Sequence, residues 1–322
     1  MRKLVMALGF LLLSASAIFA GPVVPADIDA QAVWYGHVDA EAIMQLPMVK
    51  ELQQRAMKKP KKDIFHELLR KTAMHLMGEF MSATMYATQY EGDFGVVLMK
   101  YRNDLPKESI MTILAHKFPG HEETLMRNRK VYTWQICCGR KKMRLSGCFV
   151  NDRQILVGIG LHHVENALAV LDGERQAMTI DSPLFKGLMP GTLFISRALT
   201  VPEAYQFSTY CPVLRHCDEA FARWTSHGDT IRGRYEFQAT DREKAALYLQ
   251  AVEGMKAMFA LRFAGHDKVM ALLEGFTSVQ AGKALILTWE GTFKQVKKAF
   301  KQMRVYRKQQ RKMRKEFNKS EK

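Results

Sequence analysis

The sequence predicts an α+β fold made of two similar halves, each an antiparallel sheet with helices packed on it, followed by a long basic helix. Three observations predict this fold. A pattern of hairpins and helices occurs twice in the 322 residues, which suggests an internal duplication. Apolar residues make up 48% of the chain and charged residues 25%, as in ordinary globular proteins. The segment from Thr292 to the last residue contains neither Gly nor Pro, which favours one continuous helix.

Residues 1–20 have the features of a secretory signal peptide. Arg2 and Lys3 precede an apolar run, and small residues follow it. Cleavage is expected after Ala20, with Ala17 as the alternative site. An uncleaved membrane anchor is the competing interpretation, which the small residues at the end of the run disfavour. The sequence therefore predicts an exported protein, periplasmic or extracellular.

The first half is expected to span residues 21–173 and to begin with a strand at residues 32–39. Asp39, at the end of that strand, can cap the short helix that follows it. Pro47 suits the first turn of a helix that runs to about residue 58, and Asp63 can cap the next helix.

The repeated pattern begins with a hairpin and a helix. In the first half these are strands at 83–88 and 94–101 and a helix at 106–117; in the second half they are strands at 219–226 and 230–240 and a helix from Asp241 to about Phe263. A Gly-Asp pair occupies the turn of both hairpins, at Gly92-Asp93 and Gly228-Asp229.

A second hairpin and a second helix complete each copy. The first copy ends with a helix at 161–171, and the second with the helix that starts at Thr292. The first copy also contains an additional hairpin, with strands at 123–127 and 130–136. The segment 174–191 contains two prolines and is expected to connect the first half to a second half at 192–293, with residues 294–322 as a helical tail.

Three short motifs in this arrangement resemble those of large families of secreted bacterial proteins of unknown function. They are GHVD at 36–39 at the end of the first strand, VLDG at 170–173 at the end of a strand-helix unit, and ATDREKAA at 239–246 at the start of the long helix of the second half. The resemblance covers most of residues 31–300. It implies a duplicated α+β fold and brings no catalytic residue with it.

No catalytic, cofactor or metal motif is found in the sequence. His162 and His163 are adjacent at the start of a helix, where neighbours point about 100° apart, an awkward arrangement for two ligands of one ion. No HExxH, GxSxG or P-loop pattern occurs, and Gly158 and Gly160 lack the third glycine of a dinucleotide loop. No cofactor and no metal ion is therefore expected. The 20 methionines, including Met74, Met77, Met255 and Met258, are expected to fill the core, with a Met-rich metal-binding or peptide-binding surface as the alternative.

Five cysteines would face an oxidising compartment if the protein is exported: Cys137, Cys138, Cys148, Cys211 and Cys217. Cys211 and Cys217 enclose only five residues, so they are the best candidates for a disulfide. The alternative is that the cysteines are small buried residues without bridges.

The charge is concentrated at the C-terminus. Residues 294–322 contain 13 basic and 2 acidic residues, whereas residues 21–293 contain 33 basic and 30 acidic residues. This distribution argues against specific nucleic-acid binding by the body of the protein and limits polyanion binding to the tail. The candidate contacts for an anionic lipid surface or envelope polymer are Lys294, Lys297, Lys298, Lys301, Arg304, Arg307, Lys308, Arg311, Lys312, Arg314 and Lys315.

Three roles for the tail remain open at this stage: a solvated extension, a helix that binds anionic surfaces, and a helix that docks with a protein partner. Truncation after Gln302 is expected to leave the fold intact. The leading functional hypothesis is an exported, non-enzymatic binding or envelope-associated protein. The alternative is an enzyme whose site is assembled between the two halves.

Overall fold

The computed structural model describes residues 23–46, 49–50, 64–90, 95–138, 141–189, 191–201 and 217–320. The chain divides into two compact units, Met1–Tyr205 and Gln206–Lys322. Both combine antiparallel strands with helices, which confirms the predicted α+β class. Several expectations lie outside the described residues: the signal peptide at 1–20, the helix at 51–58, the cap at Asp63, the turn at 91–93 and Cys211.

Among its described residues, unit 1 contains eight strands and four α-helices. The strands are β1 (Trp34–Val38), β2 (Phe80–Ala87), β3 (Val96–Tyr101), β4 (Glu122–Met126), β5 (Arg129–Cys138), β6 (Lys141–Asn151), β7 (Gln154–Ile159) and β8 (Thr192–Leu199). The helices are α1 (Ala40–Met44), α2 (Ile64–Glu79), α3 (Lys107–Lys117) and α4 (Leu161–Leu171). Their order along the sheet is β8-β1-β2-β3-β7-β6-β5-β4.

Alternating side chains of the unit 1 sheet form its core. In β1, Tyr35 is fully buried, and its ring meets Phe185 edge-on with the centroids 5.1 Å apart. Leu98 of β3 and Leu156 of β7 face each other across the ladder and are both buried. This alternation of buried and partly exposed residues is what an antiparallel sheet covered on one face requires.

Helix α4 packs on this sheet through Val164 and Leu168, which are both fully buried. Gly160 precedes the helix with a φ of 91°, a conformation that favours glycine and turns the chain sharply from β7 into α4. A tight turn therefore accounts for this glycine. It is followed by His162 and His163, whose ring centroids lie 3.8 Å apart.

Unit 2 contains β9 (Cys217–His227), β10 (Thr230–Ala239), β11 (Phe276–Ala281) and β12 (Ala284–Thr292). Its helices are α5 (Arg242–Arg262), α6 (Asp267–Glu274) and α7 (Phe293–Ser320). The strand order is β11-β12-β10-β9, and every pair is antiparallel. Asp241 caps α5 as expected, because its carboxylate accepts a hydrogen bond from the Lys244 backbone N–H at 2.7 Å.

The core of unit 2 lies between α5 and the sheet. Ala239, Ala245, Tyr248 and Leu285 form a buried cluster, and Leu287 packs against it. A second cluster is formed by Phe263, Val269 and Ala299, which bring α6 and α7 together.

The two predicted repeats have the same strand order. In unit 1 the hairpins β2-β3 and β6-β7 are arranged β2-β3-β7-β6, and in unit 2 the hairpins β9-β10 and β11-β12 are arranged β9-β10-β12-β11. The additional hairpin of the first copy is also present, as β4 and β5. An internal duplication would produce this match, but the duplication itself stays a prediction.

The two compact units are Met1–Tyr205 and Gln206–Lys322, and the expected segments 21–173, 174–191 and 192–293 stay a prediction. Strand β8, at Thr192–Leu199, belongs to unit 1, where it pairs with β1 from Trp34 to Val38. The prolines therefore precede the last strand of unit 1. The two prolines in the sequence indicated the loop before β8. The pairing of β8 with β1 joins residues far apart in the chain, and no local sequence pattern indicates it.

Candidate anion-binding face of the C-terminal helix

Helix α7 begins with a reciprocal cap. The backbone N–H of Gln295 donates to the Thr292 hydroxyl at 3.2 Å, and the backbone N–H of Thr292 donates to Oε1 of Gln295 at 2.7 Å. This capping box satisfies two backbone donors and fixes the point at which the chain leaves β12.

The first half of α7 is part of the unit 2 core. Ala299 is fully buried against Phe263 and Val269, and Met303 and Tyr306 pack onto the same cluster. The Tyr306 ring lies 5.2 Å from that of Phe263, measured between centroids. These contacts hold the helix to α6 through Tyr306.

A hydrogen bond reinforces this packing. Oε1 of Gln302 accepts from the backbone N–H of Lys268 at 3.0 Å. Lys268 lies in the first turn of α6, where backbone N–H groups have no partner within their own helix. The side chain of Gln302 therefore satisfies one backbone N–H in the first turn of α6.

The exposed cations of α7 lie on the side opposite to this packed face. At 100° per residue, the positions that pack, namely Ala299, Met303 and Tyr306, fall within one arc of about 60°. The exposed basic residues fall within a separate arc of about 120°, which we call the cationic face. It consists of Lys294, Lys297, Lys298, Lys301, Arg304 and Lys308.

The other five candidates, Arg307, Arg311, Lys312, Arg314 and Lys315, are in the later turns of the same helix, which continues to Ser320. The described side chains of the region beyond Tyr306 are exposed, including that of Met313. The structure thus brings six of the eleven candidates onto one surface and places the backbone of the rest along its continuation.

The apolar side chains of α7 do not all face the core. Phe300 is 61% exposed and lies beside the cationic face, and Val305 is exposed between the cations near the other side of that face. Ala299, Met303 and Tyr306 turn towards the core of unit 2, because the contacts of Ala299 and Met303 fix the rotation of the helix about its axis.

The expected disulfide stays a prediction. Cys217 is buried with an unbridged thiol, whose Sγ donates to the Glu219 carbonyl at 2.7 Å, and Cys211 lies outside the described residues. Burial raises the pKa of Cys217 to about 12. Cys148 is likewise a buried, unbridged thiol.

In the part of the chain that the structure describes, no group of three or more His, Cys, Asp or Glu side chains is arranged to hold a metal ion. Over those same residues, no helix has the length and apolar character needed to cross a membrane.

The expectation that the methionines fill the core is wrong for three of them. Met77, Met255 and Met258 are exposed on the surfaces of α2 and α5. In α5 they accompany Leu247 and Leu261, which are exposed as well. Apolar residues occur all round this helix, so the sequence pattern could not show which of them face the sheet.

No protein-family model and no curated protein matches the sequence. Solved structures of one protein, TP0453, are similar to the chain in fold, at 9% sequence identity. Its crystal form III has a TM-score of 0.47, with 84% of this chain and 95% of that chain covered. Crystal form IV has a TM-score of 0.46, with 91% and 98% covered, and crystal form I has 0.44, with 87% and 97% covered.

Proposed function

We propose that this chain is an exported, non-enzymatic binding protein that attaches to an anionic surface through the cationic face of α7. The observation that carries the proposal is the separation of two faces on one helix. Ala299, Met303 and Tyr306 hold the helix to unit 2, and the exposed cations project from the other side.

The number of cations is sufficient for binding without a pocket. Each Lys or Arg near an anionic membrane contributes about 1 kcal/mol, and the attraction decays over a Debye length of about 8–10 Å. The stretch from Lys294 to Lys308 is about 21 Å long, so a flat surface can meet most of the cationic face at once. Four or five engaged charges give binding that is measurable at low salt and weak at high salt.

The contact is peripheral. The apolar residues that would insert into a bilayer, such as Met303 and Tyr306, are engaged in the core of unit 2. Phe300 and Val305 are exposed apolar residues in or beside the cationic face as far as the structure describes it. Electrostatic attraction to anionic groups is therefore the main source of binding energy.

The test is a five-residue variant of the mature protein, with Lys294, Lys298, Lys301, Arg304 and Lys308 changed to Gln. All five side chains are exposed, so the fold is retained. Cosedimentation with vesicles containing anionic phosphatidylglycerol should show affinity reduced by about 100-fold or more at low salt. Vesicles of zwitterionic phosphatidylcholine should bind neither protein.

A matched control removes the same charge from exposed sites elsewhere. Its five changes to Gln are at Lys71, Lys142, Lys186, Arg242 and Lys268. Equal loss of binding in both variants would show that net charge, rather than the cationic face, is responsible, and would contradict the proposal.

A soluble polyanion distinguishes lipid from envelope polymer as the anionic surface. Dextran sulfate that binds as tightly as the vesicles, with the same dependence on the five cations, indicates recognition of anionic groups in general. Binding to vesicles alone indicates lipid. Absence of binding to both probes at low salt would overturn the proposal and leave α7 as a solvated extension.

A further inference from the structure

Helix α5 has an apolar face that points away from its own unit. The helix contributes Ala245 and Tyr248 to the buried core. On the other side, the side chains of Leu247, Met258 and Leu261 are 61%, 64% and 79% exposed. Exposed leucines and methionines in a row are unusual on a surface that meets only water.

These residues form a regular seam. The seam follows alternating steps of four and three residues along the helix and consists of Leu247, Ala251, Gly254, Met258 and Leu261. This spacing keeps them on one side of a helix and is the pattern of helix-to-helix packing. We call this set the α5 seam; it is about 21 Å long.

Gly254 at the centre of the seam has no explanation within the described part of the chain. A methyl group added to it would meet no atom within 4 Å, and its φ lies outside the left-handed region. Glycine inside a helix costs about 0.8–1 kcal/mol relative to alanine, so its presence calls for a compensating role. Small residues at Ala251 and Gly254 allow the backbone of another helix to approach closely, whereas lipid or water needs no such gap.

We propose that the α5 seam is the docking surface for a second copy of this chain, with the two α5 helices antiparallel. The proposal is independent of the anionic-surface function. The two-fold axis of this dimer passes between the two helices, level with the midpoint of residues 252 and 253. Ala251 of each copy then faces Gly254 of the other. The same axis pairs Leu247 with Met258, so large residues flank the close approach on both sides.

Charge complementarity supports this partner and this direction. Glu243 lies at one end of the seam face and Arg262 at the other. The same axis that pairs Ala251 with Gly254 brings Glu243 of one copy beside Arg262 of the other. A parallel pair would place like charges together at both ends.

The dimer is expected to be weak. A single helix pair of about 21 Å buries much less surface than the roughly 1,600 Å² of a standard stable interface. A dissociation constant in the range of about 1–100 µM follows, so the protein is monomeric when dilute and dimeric when concentrated.

Sedimentation velocity of the mature protein over a concentration series tests the proposal. Gly254→Leu should weaken dimerisation by about tenfold or more, because a large side chain prevents the close approach. The same change should leave the melting temperature unchanged or raised, because Leu is a better helix former and its Cβ meets no neighbour. Gly78→Leu, at another exposed helical glycine with open space around it, is the matched control and should leave dimerisation unaltered.

A charge exchange tests the orientation. Glu243→Arg and Arg262→Glu should each weaken the dimer, and the double variant should restore it, because each copy then supplies both reversed charges. The five-residue cationic-face variant should still dimerise, which separates this proposal from the function proposed above.

A wild-type chain that stays monomeric up to about 200 µM would overturn the proposal, as would a Gly254→Leu variant that dimerises normally. If the chain is monomeric and Leu261→Glu lowers binding to vesicles, the α5 seam contacts lipid instead, and the dimer is refuted.

Discussion

Asp39 illustrates how much a single residue depends on its surroundings. It was expected to cap α1, and its carboxylate accepts a hydrogen bond from the Ala42 backbone N–H at 2.8 Å. Burial raises the pKa of Asp39 to about 7, and the hydrogen bond from Ala42 opposes that effect only in part. Asp241 caps α5 in the same way but in an open setting, and its pKa is lowered, chiefly by the hydrogen bond from the Lys244 backbone.

This contrast predicts opposite dependences on pH. The folded-state pKa of Asp39 lies above its unfolded value, so its contribution to stability is complete below about pH 4 and is lost as the pH rises to about 7. Asp39→Asn keeps a good cap and abolishes the titration. Relative to the wild type, the variant should therefore gain about 1–2 kcal/mol of unfolding free energy between about pH 4 and 7, after allowance for solvent screening.

Chemical denaturation at several pH values measures this difference. Asp241→Asn is the paired variant and should behave in the opposite sense, because a lowered pKa means stability that is lost as the pH falls through the folded pKa. If the two variants show parallel pH profiles, the difference in burial between the caps does not control their titration.

Cys148 is protected from reagents by burial of its thiol. It is buried in β6, and burial raises the pKa of its thiol to about 11, although the nearby Arg129 favours the thiolate. The thiolate is the form that reacts with alkylating agents. Cys148 should therefore be alkylated about 100-fold more slowly in the native protein than in the denatured protein at about pH 8, as measured by peptide mass spectrometry. Rapid labelling of Cys148 under native conditions would contradict this prediction.

At the scale of the element, helix α7 consists of a packed part followed by an exposed part. As far as Tyr306 it belongs to the core of unit 2, and beyond that residue the described side chains are exposed. Truncation after Gln302 would remove Met303 and Tyr306, so it is expected to lower stability even where the fold is kept. A shorter truncation, after Tyr306, keeps Ala299, Met303 and Tyr306, which pack in this cluster.

Comparison of the two truncations tests this division. The protein ending at Tyr306 should melt within a degree or two of the full chain, whereas the protein ending at Gln302 should lose about 2–4 kcal/mol of stability. Thermal unfolding followed by circular dichroism measures both. Met303→Ala should destabilise the full chain, and Met313→Ala, at an exposed position, should change its stability by less than about 0.5 kcal/mol. Equal melting of both truncated proteins would show that the packing of Met303 and Tyr306 contributes little.

At the scale of the whole molecule, the two units share a strand order but not a charge. The four strands of the two hairpins lie in the same order in both units, as β2-β3-β7-β6 and as β9-β10-β12-β11. Most of the formal net charge of +16, in contrast, lies after residue 293. The cationic face belongs to the last helix of unit 2. The proposed binding function is thus assigned to one of two units that share a strand order, and the duplication stays a prediction.

The sequence by itself determined the features that depend on near neighbours. Hairpins at β2-β3, β9-β10 and β4-β5, the cap at Asp241 and the continuous helix α7 all follow from turn chemistry, capping and periodicity within about 20 residues. The basic character of the tail was equally visible, because charge can be counted without a fold. The candidate cations were therefore found from the sequence.

Only the tertiary structure decided which face of each element is covered. It placed β8 beside β1, turned Met303 and Tyr306 of α7 inwards, and left Leu247 and Met258 of α5 outwards. The physical reason is that helices with apolar residues on several sides have no unique inward face until packing against the sheet and neighbouring helices selects one. Each strand could likewise pair with many others. Which distant strands pair is determined by burial of the whole sheet and not by any local motif.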